Sequence, residues 1–196
     1  MESLGMLVAW VAALVTAPGT LLLLLLSLGA LAWGWRRRVQ VPGVARVRLA
    51  IVVPAHDEEA TIPACLRSLR AAIDVDGGDA RLVVVADACS DATARVAEGM
   101  GARVLVRNDA SERGKGFALR HAWQALRAEP IDALAVVDAD TVVEASFVRE
   151  VRAHLGGDAD AVQTRNLVRN ADASTRTRLL SLGMLAMNLV RPLGRE

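Results

Sequence analysis

The distribution of hydrophobic positions divides the chain into two parts that meet near residue 36. Leu4 to Trp35 contains no ionisable side chain, whereas the later residues alternate short apolar runs with charged stretches. A helix of about 20 apolar residues spans a bilayer, so the first part predicts one tilted or kinked transmembrane helix within residues 4–35, and a short interfacial helix followed by one span also fits. Arg36 to Arg38 follow directly, and basic residues mark the cytoplasmic end of a span. We therefore expect a single-pass protein of the inner or plasma membrane whose remaining residues are cytoplasmic.

The second part repeats a strand-like run followed by a helix-like stretch. Short continuous apolar runs are typical of buried strands, and apolar positions three or four residues apart are typical of helices. Because the connections are short, this alternation predicts an α/β fold with a mostly parallel sheet and helices on both faces. The predicted strands are Leu49–Pro54, Arg81–Ala86, Val104–Val106, the apolar run that begins at Ala135 and stops at the carboxylates Asp138 and Asp140, and Ala159–Leu167.

These patterns divide the chain into four segments. Residues 1–38 form the predicted membrane anchor, 39–48 a basic linker and 49–170 the α/β domain. Residues 171–196 form an apolar and basic segment, in which Leu179 to Val190 is too short to span a bilayer comfortably. This run predicts a helix that either lies at the membrane surface or packs on the domain, and the sequence leaves both open.

Composition excludes several classes of protein. With 53% hydrophobic and 23% charged residues, 15 Gly and 6 Pro, the 196-residue chain is neither disordered nor collagen-like. A net charge of +1 argues against a general nucleic-acid-binding protein, so we expect no nucleic-acid partner. Cys65 and Cys89 match no zinc motif and are too few for a disulfide framework, which favours reduced thiols in the cytosol.

Two carboxylates, Asp138 and Asp140, follow the apolar run that begins at Ala135. Open parallel sheets bind their ligands beyond the carboxyl ends of the strands. Alternate residues of an extended segment point the same way, so both carboxylates could share one hard divalent cation and leave positions free for phosphate oxygens. The pattern is also typical of a turn or a helix cap, and on this stretch alone both interpretations stay open.

Acidic loops follow three of the predicted strands, and a basic loop with two glycines follows another. These loops would open at one edge of a parallel sheet, and crowded carboxylates are unfavourable unless a cation or hydrogen-bond donors lie among them. A nucleoside diphosphate with a divalent metal meets that need, because the metal bridges Asp140 and phosphate while Lys115 adds positive charge. The acidic residues are Asp57, Glu58, Glu59, Asp87, Asp91, Asp138 and Asp140.

Four motifs in sequence order resemble those of family-2 glycosyltransferases with the GT-A fold. The stretch Val162-Gln-Thr-Arg165, followed by Asn170-Ala-Asp172, is similar to the processive, cellulose-synthase-like branch of that family. The resemblance extends from the first predicted strand to the C-terminus. The four motifs are Val53-Pro-Ala-His-Asp-Glu-Glu59, Val84-Val-Ala-Asp-Ala-Cys-Ser-Asp-Ala-Thr93, Arg113-Gly-Lys-Gly-Phe-Ala-Leu119 and Val137-Asp-Ala-Asp140.

The resemblance implies inverting transfer of a sugar from a nucleotide diphosphate sugar, with a UDP-sugar as the expected donor, to a glycan or lipid acceptor, as in polysaccharide biosynthesis. It implies Mg²⁺ or Mn²⁺ as the cofactor, held by Asp140 with Asp138. Asp87 would accept a hydrogen bond from the uracil ring, and Asp138 would reach the ribose or the metal. Lys115 would approach the nucleobase or the phosphate side. The nucleoside pocket would be lined by Pro54, Ala55, Asp57 and Glu58.

The sequence offers no candidate for the general base of the reaction. Inverting transfer needs a group that takes the proton of the acceptor hydroxyl. In the resembled family this carboxylate comes from a Glu-Asp-type motif beyond the point where this chain stops, and no acid after Asp140 lies in a matching context. We therefore expect the donor-binding half of a larger enzyme, truncated at its C-terminus, that binds nucleotide and transfers sugar poorly.

Two other functions fit parts of the sequence. A catalytically incomplete, membrane-tethered subunit that binds nucleotide or assembles with a partner would also lack the general base. Asp138-Ala-Asp-Thr141 after an apolar run also matches the opening motif of haloacid-dehalogenase-type phosphatases, in which the first Asp is the nucleophile. That motif belongs to the first strand of its domain, whereas here it follows the fourth predicted strand, which disfavours this alternative.

Overall fold

The computed structural model describes residues 2–34, 47–109, 111–156 and 159–190. The chain forms two compact units, of which one is Val41–Val162 and the other is Met1–Gln40 together with Gln163–Glu196. The predicted basic cluster after the span and most of the predicted linker fall on residues 35–46, outside the described residues. The end of the predicted C-terminal segment, 191–196, also lies outside them.

One long helix, α1 (Glu2–Gly34), accounts for the apolar first part of the chain. Among the described residues, only this helix contains a stretch long and apolar enough to cross a membrane, Gly5–Gly29, and none of that stretch is buried. Its polar groups bond within the helix, as where the Ser27 hydroxyl donates to the Leu23 carbonyl oxygen at 2.7 Å. Hydroxyl groups satisfied in this way can lie in an apolar environment. The predicted helix of membrane-spanning length is therefore confirmed.

A parallel sheet forms the centre of the unit Val41–Val162, with four strands in the part that the structure describes. The strands are β1 (Leu49–Ala55), β2 (Arg81–Asp87), β3 (Arg103–Arg107) and β4 (Ala133–Val136). Every neighbouring pair is parallel, and the spatial order is β3-β2-β1-β4. The predicted α/β fold with a mostly parallel sheet is therefore confirmed.

Helices cover both faces of this sheet, as predicted. They are α2 (Ile62–Val75), α3 (Thr93–Gly99), α4 (Lys115–Leu126) and α5 (Phe147–Leu155). On one face Ile51 and Val53 of β1 pack with α2, α3 and α5, and on the other face Ala50 and Val52 pack with α4. This alternation follows from the two-residue period of a strand, and each fully buried Val, Leu or Ile side chain contributes about 1.5–3 kcal/mol.

Strand β4 differs from the prediction in its burial. It ends at Val136, although the Val137 N–H still donates to a carbonyl oxygen of β1 at 3.1 Å. Asp138 and Asp140 therefore lie in the loop beyond the strand. The prediction of a strand covered on both faces was wrong, since Val136 is 48% exposed. The physical reason is that, within the described residues, β4 pairs only with β1 and lies at the edge of the sheet.

The fifth predicted strand, Ala159–Leu167, is not present, because these residues form neither strand nor helix. The polar run from Gln163 to Asn166 interrupts the apolar pattern. A strand is stabilised by packing against cross-strand neighbours, and this segment pairs with none in the described part of the chain. The prediction of a strand here was therefore wrong.

In the unit that contains α1, the predicted C-terminal helix is present as α6 (Thr175–Leu185), followed by a π-helical turn at Ala186–Val190. Ser174 and Thr177 form a capping box, in which the Ser174 hydroxyl accepts from the Thr177 N–H at 3.1 Å and the Thr177 hydroxyl accepts from the Ser174 N–H at 2.9 Å. The cap explains why the helix begins where it does. Its most exposed apolar side chains are Leu179, Leu180 and Leu182.

Candidate functional site

The loops after β1, β2 and β4 and the first turn of α4 lie at the carboxyl edge of the sheet. Between β1 and β4 the strand order reverses direction, because β2 and β3 lie on one side of β1 and β4 on the other. Crevices at such a reversal are where open α/β sheets bind ligands. All of the predicted site residues, from Pro54 to Asp140, lie at this edge.

Asp57 joins the loop after β1 to the loop after β2. It follows Pro54 and Ala55, the last two residues of β1, and its φ of 53° is a left-handed conformation that Asp tolerates better than most residues. Its Oδ1 accepts a hydrogen bond from the Ser90 N–H at 2.6 Å. This bond holds the pKa of the Asp57 carboxyl below its usual range. Asp57 is therefore a charged group that fixes two loops of the site relative to each other.

Glu58 and its neighbour Glu59 take part in the same contact between loops. The Glu58 N–H donates to Thr93 Oγ1 at 2.8 Å, and the Glu59 N–H donates to Asp91 Oδ2 at 3.0 Å. The Glu58 carboxylate also accepts a hydrogen bond from the Thr61 hydroxyl, just before α2 begins. Glu58 thus lies at the predicted place, with its side chain already held by a local partner.

Asp87, the last residue of β2, is 7% exposed and forms a buried ion pair. Its Oδ1 accepts a hydrogen bond from Arg107 Nη1 at 2.6 Å. A buried carboxylate is costly unless a cation and a hydrogen-bond donor accompany it, and Arg107 supplies both. Sequence patterns alone did not indicate Arg107 as the partner of Asp87. The available signal was the sheet register, in which the last residue of β3 lies opposite Asp87.

Lys115 begins α4 directly after Gly114, whose φ of +112° is a conformation that residues with a Cβ rarely adopt. The Lys115 ammonium forms an ion pair with the Asp138 carboxylate in the loop after β4. Both side chains are about half exposed, at 53% and 51%. The structure thus brings the basic loop and the acidic pair together, in a contact that solvent and ligands can reach.

Asp140 lies two residues beyond Asp138, is exposed, and has no hydrogen-bond or ion-pair partner for its carboxylate among the described residues. Cys65 of α2 lies beneath this loop, where its thiol donates to the Asp138 carbonyl oxygen at 3.6 Å. Burial, with the nearby charges of Asp140 and Asp138, raises the pKa of the Cys65 thiol to about 12. The thiol therefore stays protonated and is a poor metal ligand. The groups in this loop that suit a divalent cation are the two exposed carboxylates.

A second group of metal-ligating side chains lies between the loops after β1 and β2. One ligand atom each of Asp57, Cys89 and Asp91 lies within 4.8 Å of the others. Both carboxylates already accept backbone hydrogen bonds, from the Ser90 N–H at 2.6 Å and from the Thr93 N–H at 2.9 Å. Burial raises the pKa of the Cys89 thiol. The protein itself therefore satisfies this group without a cation.

The fold is an α/β domain whose acidic and basic loops gather at the carboxyl edge of its sheet. A model of glycosyl transferase family 2 matches residues 50–192, which is most of the chain. The chain therefore belongs to glycosyl transferase family 2. Because the match includes the whole site, it favours a glycosyltransferase over the phosphatase interpretation of Asp138. No curated protein matches the chain.

Solved glycosyltransferase structures share this fold. Glucosyl-3-phosphoglycerate synthase from Mycobacterium tuberculosis, in complex with Mn²⁺, UDP and glucosyl-3-phosphoglycerate, is 27% identical with a TM-score of 0.52. A mannosyltransferase from Pyrobaculum calidifontis, in complex with GDP-Man and Mn²⁺, is 23% identical with a TM-score of 0.55. The alignments cover 79% and 71% of this chain, but 58% and 41% of those proteins. This chain is thus similar to one part of each.

Proposed function

We propose that this chain is a membrane-anchored glycosyltransferase that binds a UDP-sugar with Mn²⁺ or Mg²⁺ and transfers the sugar to a glycan or lipid acceptor. Membership of the family supports the class of reaction. The observation that carries the proposal is the meeting of Lys115, Asp138 and Asp140 at the edge of the sheet. One cation and two exposed carboxylates are the groups that a metal-bound diphosphate requires.

Asp140, with Asp138, would hold the metal. The fit is chemical, because exposed carboxylates are hard oxygen ligands and Asp140 has no competing partner among the described residues. The Mn²⁺ and UDP bound by the Mycobacterium tuberculosis synthase support the choice of metal and nucleotide. When bound, a divalent cation supplies charge neutralisation to the diphosphate leaving group. Two carboxylate ligands leave other positions of the cation free for phosphate oxygens.

Lys115 changes partner in this account. Its ammonium is paired with Asp138, and because both side chains are half exposed, solvent and ligand groups can compete for the pair. Asp138 would contribute a carboxylate ligand to the metal, and the Lys115 ammonium would then be available to the diphosphate oxygens. The start of α4 adds unpaired backbone N–H groups, which favour an anion at a helix N-terminus. The phosphate side of the site would thus be assembled only when the metal and nucleotide bind together.

Asp87 and the Asp57 loop would bind the nucleoside. Asp87 would accept a hydrogen bond from the uracil ring, and Asp57 and Glu58 would line the pocket with Pro54 and Ala55. The bonds that tie this loop to the loop after β2 support a pocket that is formed before the ligand arrives. A preformed pocket costs less ordering entropy on binding.

The reaction is a displacement at the anomeric carbon of the donor sugar. The acceptor oxygen forms the new bond as the bond to the diphosphate breaks, and UDP leaves with that electron pair. The proton of the acceptor hydroxyl passes to a general base. We assign no residue to that role. The similarity of Gln163 and Arg165 to the processive, cellulose-synthase-like branch stays a prediction.

Helix α1 would anchor this site to the inner or plasma membrane. Its stretch Gly5–Gly29 has the length and apolarity of a span. The arginines at 36–38 favour a cytoplasmic Val41–Val162 unit. An anchored donor site suits an acceptor that is itself held at the membrane, such as a lipid or a growing glycan.

The nucleotide preference tests this proposal. UDP and GDP are titrated in Mn²⁺ against the detergent-solubilised wild type, Asp87→Asn and, as a matched control, Asp74→Asn on the exposed side of α2. We expect preference for UDP, a loss of at least about tenfold in UDP affinity for Asp87→Asn, and no change for the control. Equal affinity for UDP and GDP would contradict the uridine assignment, and binding without transfer would favour a nucleotide-binding subunit.

A further inference from the structure

We propose that Arg107 is a positioning residue of the donor site, which holds the Asp87 carboxylate in place and fixes the loop that leads to Lys115. This inference rests on the proposed function, because its consequence is measured as nucleotide binding. Arg107 ends β3, and within the described part of the chain its side chain has no hydrogen bond or ion pair with the predicted metal ligands or with the loop after β1.

The first contact of Arg107 is with Asp87. The two residues lie opposite each other in the parallel register of β2 and β3, and both are 7% exposed. Nη1 donates to Asp87 Oδ1 at 2.6 Å, so one carboxylate oxygen is occupied and the orientation of the carboxylate is set. Among the described residues, no protein donor contacts the second oxygen, which stays available to a ring N–H.

The second contact is with the loop between β3 and α4. Arg107 Nη2 donates to the Glu112 carbonyl oxygen at 2.5 Å and lies 3.6 Å from Asp109 Oδ2. The guanidinium carbon lies 5.7 Å from the centre of the Phe117 ring, in the first turn of α4. Lys115 is two residues before Phe117. The buried Arg107 guanidinium therefore connects Asp87, which is proposed to bind the uracil ring, to the start of α4, which is proposed to bind the diphosphate.

The chemistry of this position requires an arginine. The planar guanidinium has five N–H donors in a fixed fork, so it can donate to Asp87 and to the Glu112 carbonyl in two directions at once. A lysine ammonium keeps the charge but is a single point on a flexible stem. Arg107→Lys should therefore retain the ion pair with Asp87 while losing the loop contact.

Arg120 provides a matched control. It lies over the same Phe117 ring, with 5.0 Å from the guanidinium carbon to the ring centre, and it pairs with the Glu112 carboxylate. It is half exposed and has no contact with Asp87. Arg120→Met thus removes a cation that contacts the same ring and the same loop, and it leaves the ion pair of Asp87 with Arg107 in place.

The experiment measures UDP affinity in Mn²⁺ for the wild type, Arg107→Lys, Arg107→Met and Arg120→Met, with unfolding temperature as a check of folding. We expect a loss of at least about tenfold for Arg107→Met, a smaller loss for Arg107→Lys, and a change within about twofold for Arg120→Met. Equal losses for the Arg107 and Arg120 variants would overturn the proposal, because the effect would then be general to the loop.

A double-mutant cycle separates positioning from a purely structural role. If Arg107 acts through Asp87, then the effect of Arg107→Met on UDP affinity shrinks by at least about threefold in an Asp87→Asn background, which also removes the unpaired buried charge. Additive losses would overturn the proposal.

Amide hydrogen exchange from Glu112 to Phe117, measured without nucleotide, should rise in Arg107→Met. A wild type that binds no UDP would instead refute the donor site, and unchanged exchange would refute the contact.

Discussion

Three carboxylates of the site are each held by a different kind of partner. Asp57 accepts a hydrogen bond from a backbone N–H group, Asp87 accepts one from a buried arginine, and Asp138 forms an ion pair with a half-exposed lysine. Charge-assisted bonds in buried surroundings are the stronger ones, and exposed ion pairs contribute little. The order of strength matches the proposed roles, because the nucleoside side is fixed in advance and the metal and phosphate side can exchange partners.

The first prediction uses the fact that Lys115 is the only lysine of the chain. An amine-selective reagent will modify its half-exposed ammonium, and Mn²⁺ with UDP will slow that modification because the ammonium then faces phosphate. The measurement is the rate of modification of the peptide containing Lys115, by mass spectrometry. Modification of the N-terminal amine serves as the internal control. Protection by UDP in the absence of metal, to the same extent, would contradict the partner exchange.

The second prediction concerns pH. The bond from Ser90 lowers the pKa of Asp57, so the folded state binds that proton less tightly than the unfolded chain. The contribution of this bond to the free energy of unfolding is therefore complete above the carboxyl pKa of the unfolded chain, about 3.9. It is lost as the pH falls through the lower pKa that Asp57 has in the folded protein. The difference in unfolding temperature between the wild type and Asp57→Asn should shrink on acidification. A difference that stays constant with pH, or one shared by Asp74→Asn, would disprove the assignment.

At the scale of elements, the sequence predicts most of the fold and fails where tertiary contacts decide. Helix α2 was predictable because Ile62, Leu66 and Ile73 fall on one face, and all three are buried. The strand at Ala159–Leu167 and the burial of β4 were predicted wrongly, because both depend on which strands lie beside them rather than on local pattern.

The same limit applies to the site. The acidic loops and the lysine could be placed at one edge from strand order alone. Arg107 and Ser90 could not, since their importance depends on the register of β2 with β3 and on the path of the loop after β2.

The third prediction concerns a buried ion pair that links two helices. Arg152 of α5 is 5% exposed, pairs with the Asp76 carboxylate at the end of α2, and has its Nη2 2.5 Å from Asp79 Oδ1. Arg152→Met leaves the buried Asp76 without its cation, which should destabilise the fold by about 3–5 kcal/mol. Arg149→Met, on the exposed side of α5, should change stability by less than about 0.5 kcal/mol. Denaturant unfolding measures both, and equal stabilities would show that the pair is dispensable.

At the scale of the whole molecule, the chain combines an apolar helix and a family 2 glycosyltransferase domain. The two features make different demands on sequence. The helix needs only length and the absence of charge, which is why it was predictable from composition alone. The domain needs residues from β1, β2, β4 and α4 to meet, which only the folded sheet provides.

The most direct test of the account is calorimetric titration of UDP into the full chain in lipid nanodiscs, with and without Mn²⁺. The wild type is compared with Asp140→Ala and with Glu150→Ala, an exposed carboxylate of α5, as the control. We predict metal-dependent UDP binding that is lost in Asp140→Ala and retained in Glu150→Ala. UDP binding that needs neither Mn²⁺ nor the Asp140 carboxylate would contradict the metal site, and no UDP binding at all would contradict the donor site itself.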